Sequence, residues 1–256
     1  MTARIARMAA LVSLTLSAVA VAQSPQDQPE DNERNATVPL FEKTPTLDGK
    51  VEPGEWDRAV STTGFQGRGY RRQHSFDHLE ERKGHTYFGY TKDRLYIAVV
   101  SAMPPTGELH AKHKKDDNDR LVFDESVEIW LDPVREKRAG GSAAGSFFQT
   151  IINAIGTVHD VEFAPKGAPD IGWNGNWEIA NGYDEKTFTW TIELSLPWKD
   201  IGIEGDPTGK TVGVLVSRNF HAPWNQSTWF THAGSFVSWA EYPAIRLTKD
   251  MPAVQI

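Results

Sequence analysis

Residues 188–196 read Phe-Thr-Trp-Thr-Ile-Glu-Leu-Ser-Leu. Apolar side chains at Phe188, Trp190, Ile192, Leu194 and Leu196 alternate with Thr189, Thr191, Glu193 and Ser195. A period of two is the repeat of a β-strand, so the stretch predicts a strand with one dry and one wet face. Residues 177–180 predict a second strand just upstream. Asn181-Gly182 and Asp184 supply turn chemistry between the two, and 177–196 therefore reads as a β-hairpin. The same reading extends in both directions. Residues 86–91, 95–101, 126–131, 147–154, 157–163, 211–220 and 244–247 are short alternating or β-branched segments separated by Gly, Pro and Asp clusters. Helical spacing is confined to two turns, 53–59 and 197–201. Many short strands of this kind predict an all-β fold, an antiparallel, jelly-roll-like sandwich of two sheets.

The composition fits that architecture and narrows the function. The chain has 256 residues, 27 Lys and Arg against 34 Asp and Glu, a formal net charge of −7, and no Cys. Its fold rests on neither disulfides nor thiolate-bound metal. An acidic balance lacks the basic face with which a nucleic-acid binder displaces counterions from phosphates, so no nucleic-acid partner is expected. Arg4 and Arg7 precede an uncharged run over residues 8–22 that ends Ala20-Val21-Ala22, the pattern of a cleaved signal peptide over 1–22. That run is too short for a membrane span. A secreted or periplasmic location, off the membrane after cleavage, is the expectation. Residues 23–38 are rich in Gln, Pro, Asp, Glu and Asn and read as a disordered linker. Residues 39–250 read as one domain without internal repeats.

Six segments carry a resemblance in order along the chain: PTLDGKVEPGEWDRA (45–59), DRLYIAVV (93–100), DESVEIWLDP (124–133), FFQTIINAIGTVHD (147–160), WNGNWEIA (173–180) and TWTIELSLPWKDIGI (189–203). Together they resemble carbohydrate-binding module family 9 and its relatives over residues 40–249. The resemblance implies a two-sheet sandwich that binds a saccharide without bond chemistry, often the end of a glucan or xylan chain, sometimes with structural calcium and no other cofactor. It also implies two aromatic rings clamping a sugar ring, with a Glu, an Arg and amides on its hydroxyls. Such a site suits a pyranose, whose apolar C–H faces stack on aromatics while polar groups satisfy its rim.

Transferred residue by residue, the resemblance sets Glu128 at the hydroxyl-binding Glu. Phe123 is the nearest match to the first clamp aromatic, and Phe236, with Trp239 as substitute, to the second. The strand that should carry the Arg has none, but Gln149 and Asn153 share one of its faces. Ser217 and Asn219 lie on the strand of amide donors, with Arg218 directed the other way. Nine Trp are present. Trp56, Trp190 and Trp198 read as core, while Trp130, Trp173, Trp177, Trp224, Trp229 and Trp239 fall on strand faces or loops where stacking residues belong, and Trp173 is added to the candidate set.

Other patterns are weaker. Asp116, Asp117, Asp119 and Asp124 offer calcium oxygens but lack the ordered spacing of a dedicated loop, so a solvated acidic loop is the preferred reading. His110-x-x-His113 has no third metal ligand. Asp124 with Glu128, or Asp160 with Glu162, could be read as glycosidase carboxylates, yet nothing in the sequence sets either pair across a cleft. Two other readings stay open: a module without ligand that serves in protein docking, suggested by the absent clamp Trp, and a b-type haem domain, for which Met103 and Met251 are the candidate thioethers.

Overall fold

Thr189–Pro197 is the strand its alternation predicts, and it pairs antiparallel with Glu178–Asp184 as the hairpin reading requires. The computed structural model describes residues 35–63, 65–68, 76–79, 82–135, 145–230, 236, 237, 239 and 242–250. The signal-peptide reading (1–22), most of the linker reading (23–34) and Met251 lie outside the described residues. In chain order the strands are β1 (Asn35–Pro39), β2 (Val60–Thr63), β3 (Gln66–Arg68), β4 (Phe76–Leu79), β5 (Gly84–Tyr90), β6 (Arg94–Ala102) and β7 (Ser126–Asp132). They continue with β8 (Phe147–Asn153), β9 (Val158–Phe163), β10 (Glu178–Asp184), β11 (Thr189–Pro197), β12 (Thr211–Phe220), β13 (Asn225–Thr228) and β14 (Ala244–Thr248).

Among the described residues the strands form two sheets. One has nine strands, with the path β4-β3-β13-β12-β7-β8-β9 and with β14 pairing both β12 and β1; the other runs β10-β11-β6-β5-β2. The main core lies between them. Val127, Ile129 and Leu131 on β7, Phe148 and Ile152 on β8, and Val212, Val214 and Val216 on β12 meet Ile97 and Val99 on β6 and Trp190, Ile192 and Leu194 on β11. Alternation thus puts the residues between them on the outer faces. The fold class is the all-β, two-sheet sandwich expected from the sequence. Among the described residues no helix is long and apolar enough to cross a membrane.

Four details differ from the sequence reading. β10 runs straight through Asn181-Gly182, and the chain reverses after Asp184. Gly182 is there for close approach: a Cβ on it would stand 2.2 Å from the carbonyl oxygen of Gly49. Asn181 is likewise used in the strand, where its Oδ1 accepts from Trp190 Nε1 at 3.0 Å. Second, the "wet" face of β11 is dry, since Thr191, Glu193 and Ser195 are all buried. Segment 48–56 folds over it, and the Glu193 carboxylate accepts from the backbone N–H groups of Asp48, Gly49 and Lys50 at 2.9, 2.7 and 3.1 Å and from Trp56 Nε1 at 2.8 Å. Burial pushes this carboxyl up, and the four donors oppose the rise. Trp56 is core, but in a separate small cluster with Phe41, Tyr96 and Ala98.

Third, Asn35–Val38, inside the tract read as linker, belong to a strand, because β1 pairs in parallel register with β14 and buries Val38. Backbone pairing supplies an order that polar composition does not reveal. Fourth, residues 53–59 form turns rather than a helix, whereas Trp198–Ile201 is the predicted helical turn, of 3₁₀ type, ended by Gly202 at φ 76°. An unpredicted 3₁₀ turn, Asp119–Phe123, is capped by the Asn118 side chain, which accepts from Arg120 N.

Candidate functional site

On the outer face of the nine-stranded sheet, register aligns three rows of side chains. Gln226, Asn219, Ser126 and Asn153 form the first; Thr228, Ser217, Glu128 and Ile151 the second; Leu215, Trp130, Gln149 and Val161 the third. Glu128, Gln149, Asn153, Ser217 and Asn219 therefore share one face, as their parity in the sequence implies.

Glu128 sits at the centre and is only 3% exposed. Its Oε1 accepts from Trp130 Nε1 at 2.7 Å and from Gln149 Nε2 at 2.8 Å, and its Oε2 from Asn219 Nδ2 at 3.4 Å. Burial raises its carboxyl above the ordinary glutamate value, and the three donors, Gln149 foremost, pull it back. The network continues outward. Asn219 Nδ2 also donates to Ser126 Oγ at 3.1 Å, and Gln226 Nε2 donates to Asn219 Oδ1 at 3.1 Å. Ser217 Oγ, beside Glu128 in the second row, is buried with no hydrogen-bond partner. A buried hydroxyl left without a partner in a polar floor is a departure that calls for a reason.

Two aromatic groups flank this floor. At one end Phe123, 49% exposed, lies 6.2 Å from Trp224 with a 43° tilt between the rings. Trp224 Nε1 is buried and unpartnered. His221 ties the two segments together, for its Nδ1 donates to the Phe123 carbonyl at 2.9 Å, and its ring stacks on His110 at 3.3 Å and 1°. Burial, then His221 and Lys112, hold His110 below the ordinary histidine value, against Asp124 and Glu125. At the other end Trp130 is buried among Phe147, Phe163 and Tyr242, with centroids at 6.1, 5.4 and 6.3 Å. Phe236 and Trp239 pack on this second cluster. The ring facing Phe123 is thus Trp224, not the Phe236 or Trp239 expected for the second clamp position.

Trp173 belongs elsewhere: its ring lies 4.7 Å from Phe148 and packs against the main core. Asn153 is consumed by structure, donating to His113 O at 2.8 Å and Asp124 Oδ2 at 3.0 Å while its Oδ1 accepts from the Ile155 and Thr157 N–H groups. Asp124 holds the Lys112 and His113 backbone and the His113 ring as well, and this protein hydrogen bonding lowers its carboxyl despite burial. Among the described residues no group of three or more His, Asp or Glu side chains is placed to hold a metal ion. Met103 packs into the main core.

Arg218 does point away from the floor, but into the sandwich interior rather than to solvent. It is 1% exposed, pairs with Glu125, donates to Ser101 Oγ at 2.9 Å and to the Asn219 carbonyl, and lies 4.6 and 4.4 Å from the Trp190 and Phe220 ring centroids. The sequence reading set Trp224 among the loop tryptophans without choosing it for the site, and it missed Gln226 and the burial of Trp130. Alternation of Trp224, Gln226 and Thr228 was the signal for Trp224 and Gln226, in a stretch that looked irregular.

Comparison with solved structures matches this arrangement of sheets. A carbohydrate-binding module of family 9 from Caldicellulosiruptor kristjanssonii, in complex with glucose, superposes at a TM-score of 0.55 with 13% identity, covering 87% of this chain and 100% of that one. The sandwich has a family 9-like fold. The same module in complex with cellotriose matches at 0.55 and 13%, over 87% and 97% of the two chains. A Bacteroides uniformis protein described as carbohydrate-binding matches at 0.62 and 11%, over 84% and 99%. No protein-family model and no curated protein matches the sequence. Within the family 9-like frame, Glu128 is the hub of the floor, and the Arg of the resemblance has no counterpart in its three rows.

Proposed function

We propose that the protein is an exported, non-catalytic saccharide-binding protein, secreted or periplasmic, that works alongside polysaccharide breakdown and engages an uncharged sugar on the outer face of the nine-stranded sheet. The carrying observation is a buried polar floor that keeps two unpartnered groups, Ser217 Oγ and Trp224 Nε1, beside an exposed aromatic ring, Phe123. A sugar ring stacked there would turn its hydroxyls toward Glu128, Gln149, Asn219 and Gln226. The solved relatives that hold glucose and cellotriose support the same ligand class. The three rows hold no Lys or Arg, which favours neutral over sulfated or uronic glycans. Of the two carboxylates read as one hydrolytic pair, Asp124 is filled with protein donors, whereas Glu128 Oε2 holds a single long bond, from Asn219 at 3.4 Å, and keeps room for a ligand hydroxyl.

Trp224 and Phe123 are too close to hold a sugar between them at 6.2 Å, since two van der Waals layers of about 3.5–4.0 Å need roughly 7–8 Å between rings. The sugar either stacks on one face or parts the pair. Affinity electrophoresis against soluble glucans, xylans and acidic glycans, followed by calorimetry with cellotriose, tests the reading. Glu128→Gln keeps an acceptor for Trp130 and Gln149 but loses the charge, and should weaken binding roughly 10- to 100-fold, the worth of a charge-assisted hydrogen bond. If no glycan retards the wild-type protein, the saccharide reading fails and protein docking takes its place.

A further inference from the structure

The exposed large aromatic side chains among the described residues are Phe123, Tyr183 and Phe188. Phe123 borders the Glu128 floor; the other two lie together at the tip of the β10–β11 hairpin, on the other sheet, and line one cleft of about 350 Å³. Tyr183 is 66% exposed and Phe188 44% exposed. Met103 and Leu109 form the apolar side of that cleft, and Asp184 and Glu185 bring carboxylates to it.

Phe188 is held there against its own preference. Its φ of 55° lies in the left-handed region, which a bulky side chain seldom adopts, yet its carbonyl is fixed by Met103 N at 3.0 Å and its ring lies over Gly107. Exposing much of two aromatic rings, one of them on a strained backbone, costs stability. Such a departure is where a binding role is to be sought.

A second cleft, of about 770 Å³, adjoins the first across Tyr183, Asp184 and Glu185. It is lined by Thr187, Thr189 and Thr191, by Tyr87, and by Lys50 and Glu52 from the segment that covers Glu193; the Thr187 and Thr189 hydroxyls bond each other at 2.8 Å. The two clefts make a trough longer than one sugar ring, with aromatic faces set among hydroxyls and carboxylates. Aromatics with carboxylates alone would also suit an organic cation. In the second cleft Lys50 and Lys186 nearly balance Glu52, Asp184 and Glu185, which removes the strong negative field an organic cation would need, and the row of threonines favours a polyhydroxylated chain.

We propose that this trough is a second saccharide-binding surface, taking a neutral oligosaccharide chain across Tyr183 and Phe188. It goes beyond the Glu128 floor and does not require it. Amide ¹⁵N–¹H spectra of the full chain titrated with cellohexaose test it, with glucan affinity electrophoresis beside them. Cellohexaose should shift amides over 183–191 as well as those around Glu128, Gln149 and Asn219. Tyr183→Ala combined with Phe188→Gly, which tolerates the positive φ, should erase the first set, leave the second, and reduce retention in the gel about fivefold. Shifts confined to the Glu128 face, or a double variant retained like wild type, would overturn the second surface and leave the first intact. Conversely, Glu128→Gln without effect while the hairpin variant loses all binding would sink the reading of the floor and keep this one. Tetramethylammonium chloride shifting 183–191 where cellohexaose does not would make the occupant a cation and overturn the saccharide assignment.

Discussion

Asp160 offers a stability prediction whose size follows from its surroundings. It lies on β9 opposite Thr150, is 2% exposed, and accepts on Oδ2 from Gly175 N at 2.8 Å. Burial, with the charges of Asp117 and Asp116 adding to it, pushes its carboxyl from 3.8 to about 6, and the Gly175 bond only partly offsets this. The folded protein thus binds a proton more tightly than the unfolded chain. Stability falls as pH rises from about 4 to about 6 and stays lower above that, because the unfolded state carries fewer protons throughout the window. At about 1.4 kcal/mol per pKa unit, the charged form costs roughly 3 kcal/mol at neutral pH. Asp160→Asn cannot ionise and keeps an oxygen for Gly175, though its NH₂ brings two donors that also need partners. The net gain expected at pH 7.5 is about 1–3 kcal/mol, equivalent to about 2–4 °C in Tm per kcal/mol for a domain of this size. At about pH 4 the gain should vanish. Urea unfolding followed by tryptophan fluorescence at both pH values measures it. A variant less stable than wild type at pH 7.5, or equally stabilised at both, would refute the argument.

Arg218→Met should cost about 3–5 kcal/mol in urea unfolding because it strands Glu125 in the interior, and adding Glu125→Leu should recover most of the loss. Gly182→Ala drives a methyl into the Gly49 carbonyl and should destabilise by about 3 kcal/mol, with the loss seen as a lower thermal midpoint. Trp224→Ala should weaken cellotriose binding roughly tenfold in calorimetry, the worth of one stacked aromatic contact, while leaving the thermal midpoint nearly unchanged. Cellotriose affinity should fall on acidification at a less acidic pH than an ordinary glutamate would dictate, since the raised Glu128 loses its charge early and a neutral carboxyl accepts more weakly; Glu128→Gln should flatten that part of the profile.

Nine of the strands were legible because each alternates over four or more residues with β-branched or aromatic side chains. β1, β2 and β13 were not, being short and largely polar, with β1 held by β14 at the far end of the described chain, and β3 and β4 share that brevity. Glu193 shows a deeper limit. Period two correctly separated its face from that of Trp190, but no local pattern says that segment 48–56 will cover it. At the candidate site, the resemblance singled out Glu128, Gln149, Ser217 and Asn219, and parity within each strand agrees with the one surface they share. Neither could tell that Asn153, on that same surface, is spent on Asp124, nor that Trp173 turns inward. Those are questions of which partner arrives, and the partners come from residues distant in sequence.

The parallel pairing of β1 with β14 has a consequence in time. β14 also completes the hydrogen bonding of β12, the strand that carries Ser217 and Asn219. The first and last strands of the described chain must meet before the nine-stranded sheet closes, and contacts between chain ends are the slowest to form because their loop-closure entropy is the largest. During synthesis, therefore, the sheet stays open until β14 has left the ribosome. For a chain proposed to be exported, this order of assembly delays closure of the sheet until β14 has been made.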